Sequence, residues 1–137
     1  MDNITKQFKE KKLKVTPQRM AIYRYLMSTT EHPSAETIYN SIKSDYPCIS
    51  LATVYKTLKT LSESQLIQEL NTGENNARYD ANTSFHGHIQ CTKCGAVEDI
   101  FHIDCTSIKE QVENISKYSD ISCKFYFKGI CSKCQKN

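Results

Sequence analysis

Residues 48–64 read CISLATVYKTLKTLSES. Leu51, Val54, Leu58 and Leu61 recur at spacings of three and four, which puts them on one face of a helix and predicts a buried stripe. Ser50 stands directly before the stripe, where its hydroxyl can accept a backbone N–H of the first turn as an N-cap. The opposite face carries Thr53, Lys56, Thr57, Lys59 and Thr60, with Tyr55 at its flank and no acid before Glu63. Hydroxyl and ammonium groups on one uninterrupted face suit phosphate and base-edge contacts in a DNA major groove.

Three more helices are predicted upstream. Ile4, Phe8 and Leu13 lie on a basic helix whose Lys6, Lys9, Lys11, Lys12 and Lys14 read as a solvated face. The stretch TPQRMAIYRYL, 16–26, offers Thr16 as N-cap and Pro17 at the first helical position, with Ile22, Tyr23, Leu26 and Met27 as the apolar face. In HPSAETIYNSI, 32–42, Ser34 is the cap and Ile38, Tyr39 and Ile42 the stripe. Downstream of residue 64, LIQEL and ARYD alternate apolar and polar residues around NTGENN, 71–76, as two short strands joined by a turn. Helices followed by a two-stranded hairpin is the order of a winged helix, the fourth helix being the recognition element. A small helical domain whose hairpin merely covers the core would show the same order.

Beyond residue 80 the periods shorten. HIQC, VEDIF and SCKFYFKGI read as strands, and TSIKEQVENISKY, 106–118, as a helix with Ile108, Val112 and Ile115 on one side. The fold class expected is α+β, with a winged-helix DNA-binding domain over 1–80 and a small α/β dimerisation and metal-binding domain over 81–137. So few apolar residues in the second domain call for a metal or a partner subunit.

Charge divides the chain in the same way. The 137 residues carry a net charge of +3, but residues 1–65 hold 10 Lys/Arg against 6 Asp/Glu, and residues 66–137 hold 8 against 9. A polyanionic partner is therefore expected on the front half. The chain has no apolar run long enough to span a bilayer, and its first residues, MDNITKQFKEKK, lack the apolar core of a secretion signal, so a cytoplasmic protein without membrane partners is expected. Seven cysteines are an odd number, and four of them form two CxxC pairs, which in a reducing compartment reads as metal ligation.

Cys91, Cys94, Cys131 and Cys134 supply the closed four-thiolate set that zinc prefers in structural sites. The 36 residues between the pairs would then be clipped as one strand–helix–strand unit. A redox CxxC and ordinary buried cysteines are the alternatives, and a closed set leaves no position for catalysis. His86 and His88, at i and i+2 of a run entering a strand, face one side. With Asp99, Asp80 and His32 they would form a thiolate-free nitrogen and oxygen set suited to Fe(II), Mn(II) or Zn(II). A metallohydrolase could use such a set, but the sequence offers no evident general base or substrate pocket. Neither catalysis nor a small organic substrate is expected.

KLKVTPQR, HPSAETIY, ISLATVYKTL, RYD, HGHIQCTKCG, VEDI and GICSKC fall in the order and spacing of the ferric uptake regulator family, which the chain resembles over nearly its whole length. It looks most like the peroxide-responsive branch. The resemblance implies a dimeric, metal-dependent transcriptional repressor with an N-terminal winged helix and a C-terminal dimerisation domain. It carries the structural zinc ligands onto Cys91, Cys94, Cys131 and Cys134, and the regulatory iron or manganese ligands onto His32, Asp80, His86, His88 and Asp99. Asp99 stands where iron-uptake members typically have glutamate. Phe85 and Gly87 replace the extra His and Asp of the HHDH run usual in uptake regulators, so the additional metal site fed by those residues is not expected here.

Iron(II) in such a site reduces hydrogen peroxide, and by resemblance His32 and His86 are the positions oxidised to the 2-oxo form, which releases the DNA and derepresses peroxide-defence genes. With Mn(II) the protein would repress without sensing. A regulator that senses Fe(II), Zn(II) or Mn(II) directly is the alternative within the family. For DNA, Tyr55, Lys56 and Thr53 are the candidate contacts on the fourth helix, while Lys14 and Arg19 match family positions that touch the backbone or minor groove. A two-fold dimer should read an inverted repeat in its operator. Cys48, Cys105 and Cys123 match no family motif and read as spare buried thiols.

Overall fold

The computed structural model describes residues 3–71 and 77–136, so that, Asn71 apart, the expected NTGENN turn lies outside the described residues. The chain forms two units, Met1–Thr83 and Ser84–Asn137, the division falling three residues past the expected boundary. In the first unit, helices α1 (Asn3–Glu10), α2 (Pro17–Met27), α3 (Ala35–Ile42) and α4 (Leu51–Glu63) precede strands β1 (Gln68–Leu70) and β2 (Arg78–Asp80). Local chemistry starts three of these helices. The hydroxyls of Thr16, Ser34 and Ser50 accept the N–H groups of Arg19, Thr37 and Thr53 at 3.2, 3.3 and 3.1 Å, which satisfies donors the first turn cannot pair internally. Pro17 follows its cap at the first helical position, where its missing N–H costs nothing.

Periodicity then sets what is buried. Phe8, Ile22, Leu26, Ile38, Val54, Leu58, Leu61 and Ile67 are all buried in one apolar cluster closed by Tyr79 of β2, and each large side chain so removed from water contributes about 1.5–3 kcal/mol. Strands β1 and β2 pair antiparallel, Gln68 opposite Asp80 and Leu70 opposite Arg78. Ser34 forms a further antiparallel bridge to Arg78, and the Tyr79 N–H donates to the Pro33 carbonyl at 3.1 Å. This is the winged helix expected, with α4 in the recognition position.

Several apolar assignments differ from the expectation. Met27 is 51% exposed because it ends α2, beyond the reach of the cluster. Leu13 lies past the end of α1 and Leu51, the first residue of α4, is only half-buried. Thr57, expected on the outer face of α4, is buried: it lies three residues after Val54 and four before Leu61, at the edge of the stripe.

The second unit is a three-stranded sheet of order β4-β3-β5, built from β3 (Gly87–Cys91), β4 (Val97–Ile100) and β5 (Tyr126–Gly129), with helix α5 (Thr106–Ser116) connecting β4 to β5. Strand β3 pairs antiparallel with β4 and parallel with β5. A four-residue helix, α6 (Ser132–Gln135), was not foreseen. Its start is Cys131, so it belongs to the second CxxC turn. Helix α5 has no buried residue among those described: Ile108 and Val112 are exposed and Ile115 is 84% exposed.

Candidate metal centres and nucleic-acid face

Two short turns bring the cysteines together. Gly95, at φ +78°, closes the first turn by donating its N–H to the Cys91 carbonyl at 2.9 Å, a backbone conformation that suits glycine. Parallel pairing of β3 with β5 sets Cys91 opposite Gly129, two residues before Cys131. The ligand atoms of Cys91, Cys94, Cys131 and Cys134 all lie within 4.8 Å of one another. Such a set of four thiols fits a closed tetrahedral zinc site. The Cys91 sulfur accepts the N–H groups of Cys131 and Cys94 at 3.4 and 3.5 Å and that of Lys93 at 3.4 Å. These bonds, from Cys131 and Cys94 first, lower its thiol to about 6. Cys134 is pushed up to about 12, chiefly by its hydrogen bond to Cys131 and then by burial and the other two sulfurs. Binding of a metal by this set requires that the thiols give up their protons.

The nitrogen and oxygen ligands fall into two sets, one in each unit. In the first unit the His32 Nε2 lies 3.2 Å from Asp80 Oδ2, with His32 2% exposed and Asp80 also buried. The other Asp80 oxygen accepts the Asn82 N–H at 2.9 Å. In the second unit, the β3–β4 register places His88 opposite Asp99. Both His86 and His88 aim Nε2 at the same Asp99 Oδ1, at 3.0 and 3.2 Å, and their rings lie 4.5 Å apart. The Nδ1 of His86 is 2.7 Å from the Ser84 carbonyl. A carbonyl only accepts, so this nitrogen carries the proton and a neutral His86 keeps its Nε2 lone pair for a cation. Buried imidazole nitrogens and a carboxylate converging in this way suit a divalent ion of intermediate hardness.

Gly87, between the two histidines, is closely packed. A β-carbon there would sit 2.6 Å from the Ile103 Cδ1 and 3.4 Å from the Phe125 Cβ. Phe85 is exposed and packs edge-on to Phe125 at 6.1 Å. The HGH run therefore presents its histidines on one side and apolar packing on the other.

On α4, Tyr55 is 46% exposed and Lys56 and Lys59 are exposed beside it. The Thr53 hydroxyl is 2.9 Å from that of Ser50, within the helix cap. Lys14 is exposed, and its carbonyl accepts from the Arg19 guanidinium at 3.1 Å. Of the three unassigned cysteines, Cys105 is buried and Cys123 partly so, but Cys48 is exposed on the turn before α4 and is no core thiol. Two residues near the ligands were not foreseen. Phe101 stacks on His86 at 5.1 Å and 27°, and Arg78 donates to the carbonyls of Glu31 and His32. No local pattern marks either, since their partners lie far along the chain or across a turn.

The family model described as ferric uptake regulator family matches residues 10–128. The transcriptional regulator PerR of Clostridium acetobutylicum is 61% identical over 135 residues, covering 98% of both chains. A peroxide-responsive repressor PerR of Staphylococcus aureus is 34% identical over 123 residues, covering 90% of this chain and 83% of the relative. The solved structure of the Helicobacter pylori ferric uptake regulator Fur, described as having three functional metal-binding sites, matches with a TM-score of 0.77 at 28% identity, over 98% of this chain and 90% of that one.

Proposed function

Because the chain belongs to the ferric uptake regulator family, we propose that it represses transcription while two separate metal sites are filled and releases DNA when hydrogen peroxide damages one of them. It is a transcriptional regulator of the peroxide-responsive kind rather than an enzyme, and regulators of this family act as dimers on DNA operators. Cys91, Cys94, Cys131 and Cys134 hold a structural zinc that joins the two ends of the second unit. His32, Asp80, His86, His88 and Asp99 hold the regulatory Fe(II) or Mn(II).

The observation that carries this reading is the pair of imidazoles converging on one carboxylate oxygen, with no thiolate in the set. Iron(II) bound there would act as a redox catalyst for splitting the peroxide O–O bond, lending an electron that the ring being oxidised returns, so that the imidazole is the net reductant. The net change at His32 or His86 is the gain of one oxygen at ring carbon and loss of one water from the peroxide, a two-electron oxidation of the imidazole. For His86 the protein holds the ring in place through the Ser84 carbonyl and the Phe101 stack, so that the same ring edge faces the oxidant at each encounter. An oxidised ring no longer offers its normal donor nitrogen, and the ligand set falls apart. Two readout domains held at one spacing would then lose their common register on DNA.

Tyr55, Lys56 and Thr53 on α4 meet the operator, with Lys14 and Arg19 at its backbone or minor groove. A two-fold dimer requires an inverted repeat. Operator binding places the protein's work in the cytoplasm, and no small organic substrate takes part. Among the described residues no helix is long and apolar enough to cross a membrane.

Mass spectrometry of iron-loaded protein after stoichiometric hydrogen peroxide tests the reading. One added oxygen on the peptides of His32 or His86 is expected, with none in the manganese-loaded protein. Unmodified histidines together with unchanged operator binding would leave direct metal sensing as the function.

A further inference from the structure

The loop that carries His32 is held from one side by a single strand. Arg78 of β2 lies two residues before Asp80, so the two side chains leave the strand on the same face. Its Nε donates to the His32 carbonyl and its terminal nitrogen to the Glu31 carbonyl at 3.0 Å. Arg78 also forms the backbone bridge to Ser34, and the next residue, Tyr79, donates its N–H to the Pro33 carbonyl. Every residue from Glu31 to Ser34 is thus tied to β2. Within this loop His32 has φ +55°, the left-handed region that a residue with a β-carbon rarely adopts. Two consecutive carbonyls turned toward one guanidinium fork are what holds it there, and a lysine ammonium, a point charge on a flexible stem, has no such planar fork. The result is that the His32 imidazole meets Asp80 on the strand that supplies the clamp.

We propose that Arg78 is a positioning residue for the regulatory metal: it keeps His32 in its left-handed conformation and so sets the affinity of the site without touching the ion. This rests on the reading of His32 as a ligand. A partner that only orients a ligand typically changes metal affinity by about 10- to 100-fold when removed.

The test is a titration of full-length, zinc-loaded protein with Mn(II) alone, free Mn(II) being read by electron paramagnetic resonance. Arg78→Ala should weaken Mn(II) binding by roughly 10-fold or more, with zinc content and helical circular dichroism kept. Arg78→Lys should weaken it as well, because one ammonium cannot serve both carbonyls, and it carries the test if Arg78→Ala does not fold. In a His32→Ala background, either Arg78 substitution should add less than about a further twofold, since coupled residues do not contribute independently. Losses that multiply in the double variant, or Mn(II) affinity unchanged by both Arg78 substitutions, would overturn the proposal. Should His32→Ala alone leave Mn(II) binding intact, the reading of His32 as a ligand fails first, and the proposal falls with it for that separate reason.

Discussion

The two units are stabilised by different means. The first buries Phe8, Ile22, Ile38, Val54, Leu58 and Leu61 in one hydrocarbon cluster, and its polar interior residues are few. In the second, the buried residues among those described are His86, Gly87, His88, Gln90, Cys91, Val97 and Cys105, while Ile108, Val112, Ile115, Phe127 and Ile130 are exposed. A unit of this size with an interior of thiols and imidazoles lacks the apolar area to offset its chain entropy. Bound metal can supply part of what it lacks, and exposed apolar residues of this kind suit cover by a partner surface. One unit thus stands on hydrophobic burial, and the other is expected to depend on its structural zinc.

Removing zinc should break this contrast most strongly, since a structural zinc site contributes on the order of 10 kcal/mol near neutral pH. After treatment with a strong thiol-compatible chelator, hydrogen exchange read by mass spectrometry should show protection lost in β3 and β5 but kept in α2 and α4. Loss in both units alike, or in neither, would mean that the units are not stabilised separately. The metal should leave more readily in acid. In the metal-free protein the N–H groups that the Cys91 sulfur accepts hold its thiol below the ordinary value, to about 6, and as pH falls protons compete with the metal for all four thiolates.

A core truncation comes next in size. Leu58→Ala, at a fully buried position of α4, should cost about 2–5 kcal/mol in urea unfolding of the first unit. Ile115→Ala on α5 should change unfolding of the dilute protein by less than about 0.5 kcal/mol. It should instead weaken self-association, as measured by sedimentation across a concentration series. An Ile115 variant as destabilised as the Leu58 variant under dilute conditions would show that α5 is supported by its own chain. The smallest effect is expected at a cap: Thr16→Ala should cost about 1 kcal/mol, seen in the urea transition of the first unit alone.

Much of the fold is legible before any tertiary contact is known. Thr16, Ser34 and Ser50 act on N–H groups three residues away, and the apolar stripes of α2, α3 and α4 repeat within each helical turn. Strand β3 begins where the HGH run places alternate residues on one face, which is why His86 and His88 could be paired from their spacing. Expectation and structure part where burial depends on how far a core extends. Met27 ends α2 and stays outside, while Thr57 at the edge of the α4 stripe is inside. The hydroxyl of Thr57 sits on the stripe because Val54, Leu58 and Leu61 around it are buried.

By itself the sequence determined helices α1 to α5, the caps Thr16, Ser34 and Ser50, the two CxxC turns and the kinds of ligand available, because each of these is decided within a few residues by hydrogen bonding, periodicity and donor chemistry. Only the tertiary structure decided that two histidines share one oxygen of Asp99, that Gly87 packs against the Ile103 side chain, and that Arg78 holds the carbonyls of a loop 46 residues away. Those contacts join segments with no common period. They follow from which strands pair and in what register, and a register is settled by the whole sheet together rather than by any stretch of it.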